Sequence, residues 1–484
     1  MNIIREADPT CVGIDFGTTT SSVALFDGQL RFVEFTNLEV DGDSRIAKSQ
    51  VNLNGKICSN LKDQISRETL SVDSATVTDC GQPVHGSADI EEIVEFLRSL
   101  RKETNQYFYR DIRNCVITVP ARFNDIQRQY TVEAATKAGW QVVRVLAEPT
   151  AAFVAYSLLH ECSDGTYGVY DLGGGTFDFT VIRKDGDALQ VIATEGDLEI
   201  GGNHFDSSIA RNLGVSLAEA RLLRESGSVS CNKLLEKTVQ ICKRIMPSDA
   251  DGIILAGGCG HMAYNLLAHD FRVVSTPDPR LLVCAGAAIH ARKMAEEKYL
   301  LIDVLPVSIG IEIMNGISEI VLRKNTPLPA SSTVSFTNVD ERQTHILFHV
   351  VQGESDRVQE CRSLGDFRVK INPAPPRTVH IKVNLQVDTD GIISIDCESP
   401  VEKVHLQLNS TKGLTPSMAQ DLNASSRNDM LNQIIDQIQI LDPAGRYARD
   451  FKSVDEAAKV LEAIQIELSS QVMGVAQKIY DTLS

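Results

Sequence analysis

Two stretches of the chain share one pattern of apolar and polar positions. Residues 12–26 (VGIDFGTTTSSVALF) and residues 168–182 (GVYDLGGGTFDFTVI) each hold an apolar run, an acidic residue, a turn rich in Gly and Thr, and a second apolar run. Each pattern predicts a strand, a tight turn and a second strand. Because Asp15 and Asp171 take the same place before the two turns, the pair indicates an internal duplication around one cleft.

Other patterns predict strands that alternate with helices. Short apolar runs predict strands over 114–119, 141–146 and 252–255. Apolar positions at helical spacing, with Pro and Gly at the ends, predict helices over 88–102, 126–139, 148–159, 234–245 and 281–295. Ser216 and Glu219 have the spacing of a capping box, which predicts a further helix start near Ser216. This alternation predicts an α/β core with mixed sheets.

The pattern changes near residue 300. Residues 299–304 (YLLIDV) form a short apolar segment that marks either a domain boundary or an ordinary strand. Beyond it, residues 378–387 (TVHIKVNLQV) alternate strictly between apolar and polar positions, which predicts a strand of an antiparallel sheet. From about residue 415 the apolar residues return to helical spacing. The chain is therefore predicted to be multidomain, with an α/β core, an antiparallel β-domain and a helical end.

Charge and composition narrow the classes of partner. The 484 residues carry a formal net charge of −17, so we expect neither nucleic acid nor an anionic membrane as a partner. No apolar run reaches the length of a membrane span, and the N-terminus (MNIIREADPT) lacks the features of a signal peptide. The eleven cysteines never form a Cys-x-x-Cys pair. These features predict reduced thiols in a cytoplasmic protein.

Turns that combine glycine with a neighbouring carboxylate favour a Mg²⁺-nucleotide over a bare phosphate. Glycine lets backbone N–H groups line a concave anion site. A carboxylate beside that site repels phosphate unless a cation lies between them. A single turn of this kind most often has a structural role and binds no ligand. The matched Asp15 and Asp171, with a third glycine turn at Gly257 and Gly258, favour a shared ligand cleft.

Five motifs in this order resemble the DnaK-type heat-shock chaperone family. They are Asp-Phe-Gly-Thr-Thr at 15–19, Glu-Pro-Thr-Ala-Ala at 148–152, Asp-Leu-Gly-Gly-Gly-Thr-Phe-Asp at 171–178, Gly-Gly-x-x-Phe-Asp at 201–206 and Ala-Gly-Gly at 256–258. Residues 352–367 (QGESDRVQECRSLGDF) look most like the HscA branch, which serves iron–sulfur cluster assembly. The resemblance implies an actin-like α/β ATPase domain over 1–298, a linker over 299–305, an antiparallel β-sandwich peptide-binding domain over 306–412 and a short α-helical lid over 413–484.

The resemblance also implies ATP hydrolysis, with ATP and Mg²⁺ as cofactors. Asp15 and Asp171 would hold Mg²⁺ through water, and Asp178 would line the γ-phosphate side. Lys62 matches the family's catalytic lysine, with a solvated surface lysine as the alternative. The implied catalytic set is Lys62, Glu148, Asp171 and Thr176. The implied nucleotide-binding residues are Gly17, Thr18, Thr19, Gly173, Gly174, Gly175, Gly201, Gly202, Gly257 and Gly258.

Peptide-binding and coupling residues follow from the same resemblance. The residues expected to enclose an extended peptide, each with a core position as its alternative, are Ile311, Met314, Phe336, Val339 and Ile346. The residues expected to couple the domains are Pro120, Arg128, Arg144 and Asp303, and for the last two the alternative is an ordinary surface charge. The implied partners are unfolded or extended peptide segments, a J-type co-chaperone and an iron–sulfur cluster scaffold protein.

The chain departs from the family between Asp206 and Ile253, where too few residues remain for the subdomain that clamps adenine. We expect no counterpart of its basic residues, and His261 stands where the family has an adenine-stacking arginine. Losing one face of such a clamp costs about 1–3 kcal/mol by analogy with base stacking. The sequence therefore predicts weak ATP binding, surviving phosphate chemistry and no response to the family's usual exchange factor.

Two other functions compete with an ATP-dependent chaperone. The first is a peptide-binding scaffold whose ATPase has decayed, which the missing subdomain favours and the intact Asp15, Glu148, Asp171 and Thr176 oppose. The second is a small-molecule kinase of the same ATPase superfold, which the β-domain after Asp303 opposes.

Overall fold

The computed structural model describes residues 10–53, 56–62, 65, 90–160, 162–229, 231–274, 276, 278–296, 300–389, 391–409 and 413–416. Within these ranges, no helix is long and apolar enough to cross a membrane. None of the ten cysteines described forms a disulfide.

The first predicted hairpin lies at the centre of a mixed sheet. The strands of this region are β1 (Cys11–Phe16), β2 (Thr20–Phe26), β3 (Leu30–Phe32), β4 (Ala47–Lys48), β5 (Gln50–Leu53), β6 (Lys56–Ser59), β7 (Asn114–Val119) and β8 (Gln141–Ala147). The sheet order is β3-β2-β1-β7-β8, with β4 paired to β2, while β5 and β6 form a separate hairpin. β1 runs antiparallel to β2 and parallel to β7, and β8 is parallel to β7.

A second mixed sheet repeats this topology around the second hairpin. Its strands are β9 (Gly165–Leu172), β10 (Phe177–Asp185), β11 (Ala188–Asp197), β12 (Gly252–Ala256), β13 (Val273–Val274) and β14 (Leu300–Ile302). The order β11-β10-β9-β12-β13 matches β3-β2-β1-β7-β8 strand by strand, with the same parallel and antiparallel pairs. This shared topology agrees with the predicted duplication. β14, which falls in the predicted linker, pairs in parallel with β11.

Helices cover the sheets and fill the space between them. They are α1 (Ile90–Phe108), α2 (Asp125–Lys137), α3 (Glu148–Leu159), α4 (Gly202–Leu213), α5 (Leu217–Glu225), α6 (Asn232–Ile245), α7 (Tyr264–Leu267) and α8 (Leu282–Ala295). α3 and α8 pack against each other, and a Cβ atom on Gly286 would lie 1.7 Å from the Ala151 carbonyl oxygen. The small residues of both helices thus allow the two halves to approach closely.

The β-like part of the chain forms two antiparallel sheets around one apolar core. Its strands are β15 (Ile309–Ile313), β16 (Ile317–Leu322), β17 (Ala330–Thr337), β18 (His345–Gln352), β19 (Arg362–Lys370), β20 (His380–Val387), β21 (Ile393–Glu398), β22 (Lys403–Asn409) and β23 (Gly413–Pro416). The sheet orders are β16-β15-β18-β19 and β17-β20-β21-β22-β23. Alternating apolar residues of β18, β20 and β21 supply much of the shared core.

The predicted start of the helical lid at residue 413 needs correction. Residues 413–416 form β23, which pairs antiparallel with β22, because backbone pairing at the sheet edge extends the β-domain beyond residue 412. The rest of the predicted lid, residues 417–484, lies outside the described residues.

Candidate functional site

The two matched aspartates face one cleft of about 560 Å³. Asp15 lies near the end of β1 and Asp171 near the end of β9, so the equivalent strands of the two halves deliver them to the same place. Lys62 and Glu148 line the same cleft, with Glu148 at the first position of α3. The structure therefore brings together four residues that are far apart along the chain.

Carboxylates in and behind this cleft repel one another. Loss of hydration and then Glu148 raise the pKa of Asp15 to about 7. Burial, followed by Glu148, Asp178 and Asp15, raises the pKa of Asp171 well above its ordinary value. Oxygen ligands with excess negative charge are the donor set that Mg²⁺ prefers. The residues present thus fit a divalent cation accompanied by phosphate.

Lys62 provides a cationic side chain within this acidic cluster. Its side chain is 2% exposed and forms an ion pair with Glu148. Its Nζ also lies 5.8 Å from the ring centroid of Phe16 and 5.6 Å from that of Phe123. The alternative of a solvated surface lysine is therefore wrong, because the ion pair and the two rings replace the water that a surface lysine would have.

Glycine turns from separate segments meet backbone to backbone along the cleft. The Gly202 N–H donates to the Gly173 carbonyl at 3.0 Å, and the Asn203 N–H donates to the Gly174 carbonyl at 2.7 Å. A Cβ atom on Gly201 would lie 2.5 Å from the carbonyl carbon of Gly175. Gly257 adopts a φ of +76°, and its Cβ would lie 2.4 Å from the Leu172 carbonyl oxygen. Only glycine fits these last two positions.

Most of the predicted nucleotide-binding residues line the cleft. Those that do are Gly17, Thr18, Thr19, Gly173, Gly174, Gly175, Gly202, Gly257 and Gly258, and Thr176 of the predicted catalytic set lines it as well. Gly201 does not line the cleft, and its place in the structure is the close contact with Gly175. Asp178 also lies behind the wall, where its carboxylate accepts a 3.2 Å hydrogen bond from the Ala121 N–H. Burial, followed by repulsion from Glu148, raises the pKa of Asp178 to about 7.

The far end of the cleft carries basic residues, most of which no sequence pattern predicted. Arg221 and Arg224 of α5 line it together with His261 and Arg280. Basic side chains from the shortened region therefore line this end of the cleft, while the expected lack of a counterpart to the family's adenine-clamping residues stays a prediction. α5 begins with the predicted Ser216–Glu219 capping box, and the Arg224 guanidinium binds the Asp206 carboxylate at 2.6 Å. This buried ion pair holds the short helix against the cleft.

The predicted coupling residues fall into two groups. Arg128 is buried, and its guanidinium donates to the carbonyl oxygens of Phe123 and Ala121, which follow the buried Pro120. It thus supports the segment that contacts Asp178. The Arg144 Nη1 donates to Thr389 Oγ1 of the β-domain at 2.9 Å. Asp303 accepts a hydrogen bond from the neighbouring Val304 N–H within the predicted linker.

Further contacts join the β-domain to the second sheet. Lys324 Nζ lies 2.6 Å from a carboxylate oxygen of Glu195 on β11. The Thr194 N–H donates to Asn325 Oδ1 at 3.2 Å. Both contacts lie on the strand that pairs with β10, which carries Asp178. The β-domain is therefore in direct contact with the strand next to the cleft.

The five predicted peptide-binding residues divide into core and surface positions. Ile311 and Ile346 are buried in the β-domain core, and Phe336 packs against it with its ring centroid 5.1 Å from that of Phe348. Met314 is 70% exposed and Val339 is 63% exposed, each on a loop beside these residues. Two of the five residues are thus buried, one packs against the core, and two present their apolar side chains to solvent.

Duplicated mixed sheets with a glycine-walled, carboxylate-lined cleft define an actin-like nucleotide-binding protein. The model of the family described as Hsp70 protein matches residues 72–250 and 219–437. The chain therefore belongs to the Hsp70 family, a class of ATP-dependent chaperones.

Relatives from several bacteria carry the same printed description. The chain is 32% identical to "Chaperone protein HscA homolog" of Azoarcus sp. (strain BH72), over 79% of this chain and 75% of that protein. It is 33% identical to the protein of that name from Shewanella sediminis, over 78% and 68% of the two chains. The chain is 30% identical to the Rickettsia bellii protein of that name, over 97% of this chain and 85% of that protein.

Proposed function

We propose that this protein is a chaperone of the HscA type, which binds extended peptide segments under the control of ATP hydrolysis. The observation that carries the proposal is the Lys62–Glu148 ion pair, which lies in the cleft with Asp15 and Asp171 at its two sides. Phosphoryl transfer needs chiefly positioning and neutralisation of charge, and this cluster supplies groups for both.

Each cleft residue takes a distinct part in this chemistry. Asp15 and Asp171 would hold Mg²⁺ through water, and the metal supplies charge neutralisation at the phosphates when bound. Glu148 accepts a hydrogen bond from the attacking water and orients it. Lys62 and the N–H groups of the glycine turns stabilise the negative charge of the transferred phosphoryl group. Thr176 presents its hydroxyl to the terminal phosphate.

Peptide capture belongs to the β-domain, which we interpret as a sandwich, and we assign the family's lid function to residues 417–484. Met314 and Val339 would cover an extended peptide from two sides, while main-chain hydrogen bonds and an apolar floor hold it. The contacts of Lys324 with Glu195 and of Arg144 with Thr389 give the nucleotide state a route to the β-domain. Pro120, Arg128 and Asp303 complete this coupling set.

The names of the relatives support a role in iron–sulfur cluster assembly. On this proposal a J-type co-chaperone stimulates hydrolysis, and the iron–sulfur cluster scaffold protein is the client. The ten described cysteines, none of which is in a disulfide, suit the reducing cytoplasm in which we propose that the protein works.

Nucleotide-controlled release of peptide tests this proposal. The probe is a fluorescein-labelled peptide with a central pair of leucines between lysines, bound to the full chain in ADP and chased with unlabelled peptide. We expect ATP with Mg²⁺ to accelerate release at least tenfold, and the Lys62→Met variant to lose this acceleration. Peptide release at the same rate with and without ATP would instead support the peptide-binding scaffold whose ATPase has decayed.

A further inference from the structure

The loop that presents Val339 is tied down by one buried side chain. Asn338 follows β17 directly and is 0% exposed, whereas its neighbour Val339 is 63% exposed. A fully buried amide next to an exposed apolar residue is unusual, because burial of a polar group is costly unless its hydrogen bonds are made. The contacts of Asn338 account for its position.

The Asn338 side chain uses both its donors and its acceptor. Its Nδ2 donates to the carbonyl oxygens of Ala374 at 2.8 Å, Pro375 at 3.0 Å and Asp340 at 3.2 Å. Its Oδ1 accepts from the N–H groups of Val379 at 3.0 Å and Thr378 at 3.2 Å. With carbonyls on one side and N–H groups on the other, only one orientation of the amide satisfies the site.

These bonds join two loops that are separate along the chain. One loop leads from β17 to β18 and carries Val339, and the other leads from β19 to β20 and contains Pro375. The Arg377 N–H donates to the Asn338 carbonyl at 2.8 Å, and Arg377 adopts a φ of +65°. Because a positive φ is unfavourable for residues other than glycine, the second loop depends on the contacts that hold Arg377 in this conformation.

A second contact fixes the loop on its other side. The Val339 N–H donates to Gln343 Oε1 at 3.0 Å. The isopropyl group of Val339 is therefore held on a loop anchored at both ends, although solvent surrounds most of it. An apolar group held rigidly in water binds a partner with a smaller loss of conformational entropy.

We propose that Asn338 is the positioning residue that fixes the height of Val339 over the bound peptide and so sets the rate of peptide release. This inference rests on the proposed peptide-binding function. Asn338 does not touch the peptide itself, since it is buried beneath the loop. Replacement by aspartate keeps the shape of the side chain but turns an oxygen toward three carbonyl oxygens, so the two loops separate and Val339 loses its fixed place.

The test compares the association and dissociation rates of the leucine-pair peptide for Asn338→Asp in the full chain with ADP. We expect at least a tenfold faster dissociation and less than a twofold change in association. The matched control is Asn384→Asp on β20, where the half-buried side chain keeps its acceptor role toward Thr333 Oγ1, and we expect less than a twofold change in either rate. Thermal unfolding of each variant reports its folding.

A second variant covers the case in which Asn338→Asp does not fold. Gln343→Ala removes only the anchor of the Val339 N–H at a half-buried position, and we expect a threefold to tenfold faster dissociation. If the unmodified protein binds the peptide and both variants release it at the original rate, the inference is wrong. If the unmodified protein binds no peptide, the proposed peptide-binding function itself fails.

Discussion

The phosphate end and the far end of the cleft are built in different ways. At the phosphate end, glycine turns from separate segments meet at backbone distance, and buried carboxylates surround one lysine. At the far end, side chains of the short helix α5 line the cleft, and Arg221 pairs with Glu225 in its own helix. Backbone contacts tolerate no added atom, whereas exposed side chains tolerate many changes. We therefore expect substitutions at the phosphate end to abolish or strongly reduce hydrolysis. Substitutions at the far end should change nucleotide affinity only slightly.

The largest effect is expected for Gly201→Ala. The new Cβ would lie 2.5 Å from the Gly175 carbonyl carbon and would push two phosphate-binding turns apart. We expect hydrolysis of Mg²⁺-ATP to fall to background in a steady-state assay. The control is Gly186→Ala, where no atom lies within 4 Å of the added group, and only backbone strain of about 1 kcal/mol is expected. Equal activity of the two variants would contradict the account of the turns.

A smaller but still large effect is expected for Lys62→Met. The substitution leaves Glu148 without its cationic partner inside the cleft and removes a positive charge from the phosphates. We expect the turnover number for ATP to fall by roughly a hundredfold or more, as for removal of other transition-state stabilisers. Lys48→Met removes a surface lysine paired with Glu39 and should preserve turnover. Turnover by Lys62→Met at the unmodified rate would exclude a catalytic role.

Removal of Mg²⁺ should make the stability depend on pH. Asp15 and Asp178 have folded pKa values of about 7, above the ordinary carboxyl value of about 4. Between these values the folded protein binds more protons than the unfolded chain, so the free energy of unfolding falls as the pH rises through this window. In EDTA we expect the midpoint of thermal unfolding to fall by a few degrees from about pH 5 to about pH 7.5. Excess Mg²⁺-ATP should reduce this dependence of the midpoint on pH. A midpoint that rises with pH in EDTA would be incompatible with repulsion between the carboxylates of the cleft.

The smallest effect is expected at the far end of the cleft. Arg221→Ala removes a half-buried guanidinium that can stack on a base, and such contacts are worth about 0.5–1 kcal/mol at exposed sites. We expect the dissociation constant for ATP to rise about twofold to fivefold in a titration with a fluorescent analogue. Arg211→Ala, in the last turn of α4, serves as the control. A loss of binding greater than a hundredfold would show that the far end is as constrained as the phosphate end.

The sequence predicted the features that depend on local patterns. Residues close together in the sequence determine the strand–turn–strand repeats at Asp15 and Asp171 and the capping box at Ser216. The described structure contains all three. The position of Lys62 was harder to predict, because its neighbours in the sequence form no recognisable pattern. Its place in the cleft depends on an ion pair with the distant Glu148.

Features that depend on tertiary packing were missed or misplaced. Arg221 and Arg224 look like ordinary helix-surface residues in the sequence, and the ion pair of Arg224 with the distant Asp206 forms only in the folded chain. Asp178 was expected beside the phosphates, but the hydrogen bond from the Ala121 N–H turns it into the wall. The alternation of β17 ends just before Asn338, so no periodic pattern marked the residue that joins the two loops.

The most direct test of the central claim is steady-state ATP hydrolysis by the full chain with Mg²⁺, with Thr176→Ala and EDTA as controls. Thr176 lines the cleft on the second glycine turn, and its loss should leave the fold intact. The account predicts hydrolysis that requires Mg²⁺, that Thr176→Ala lacks, and that a J-type co-chaperone with a cluster-scaffold peptide stimulates. Hydrolysis no faster than that of Thr176→Ala would contradict the claim and leave the β-domain as the functional part of the protein.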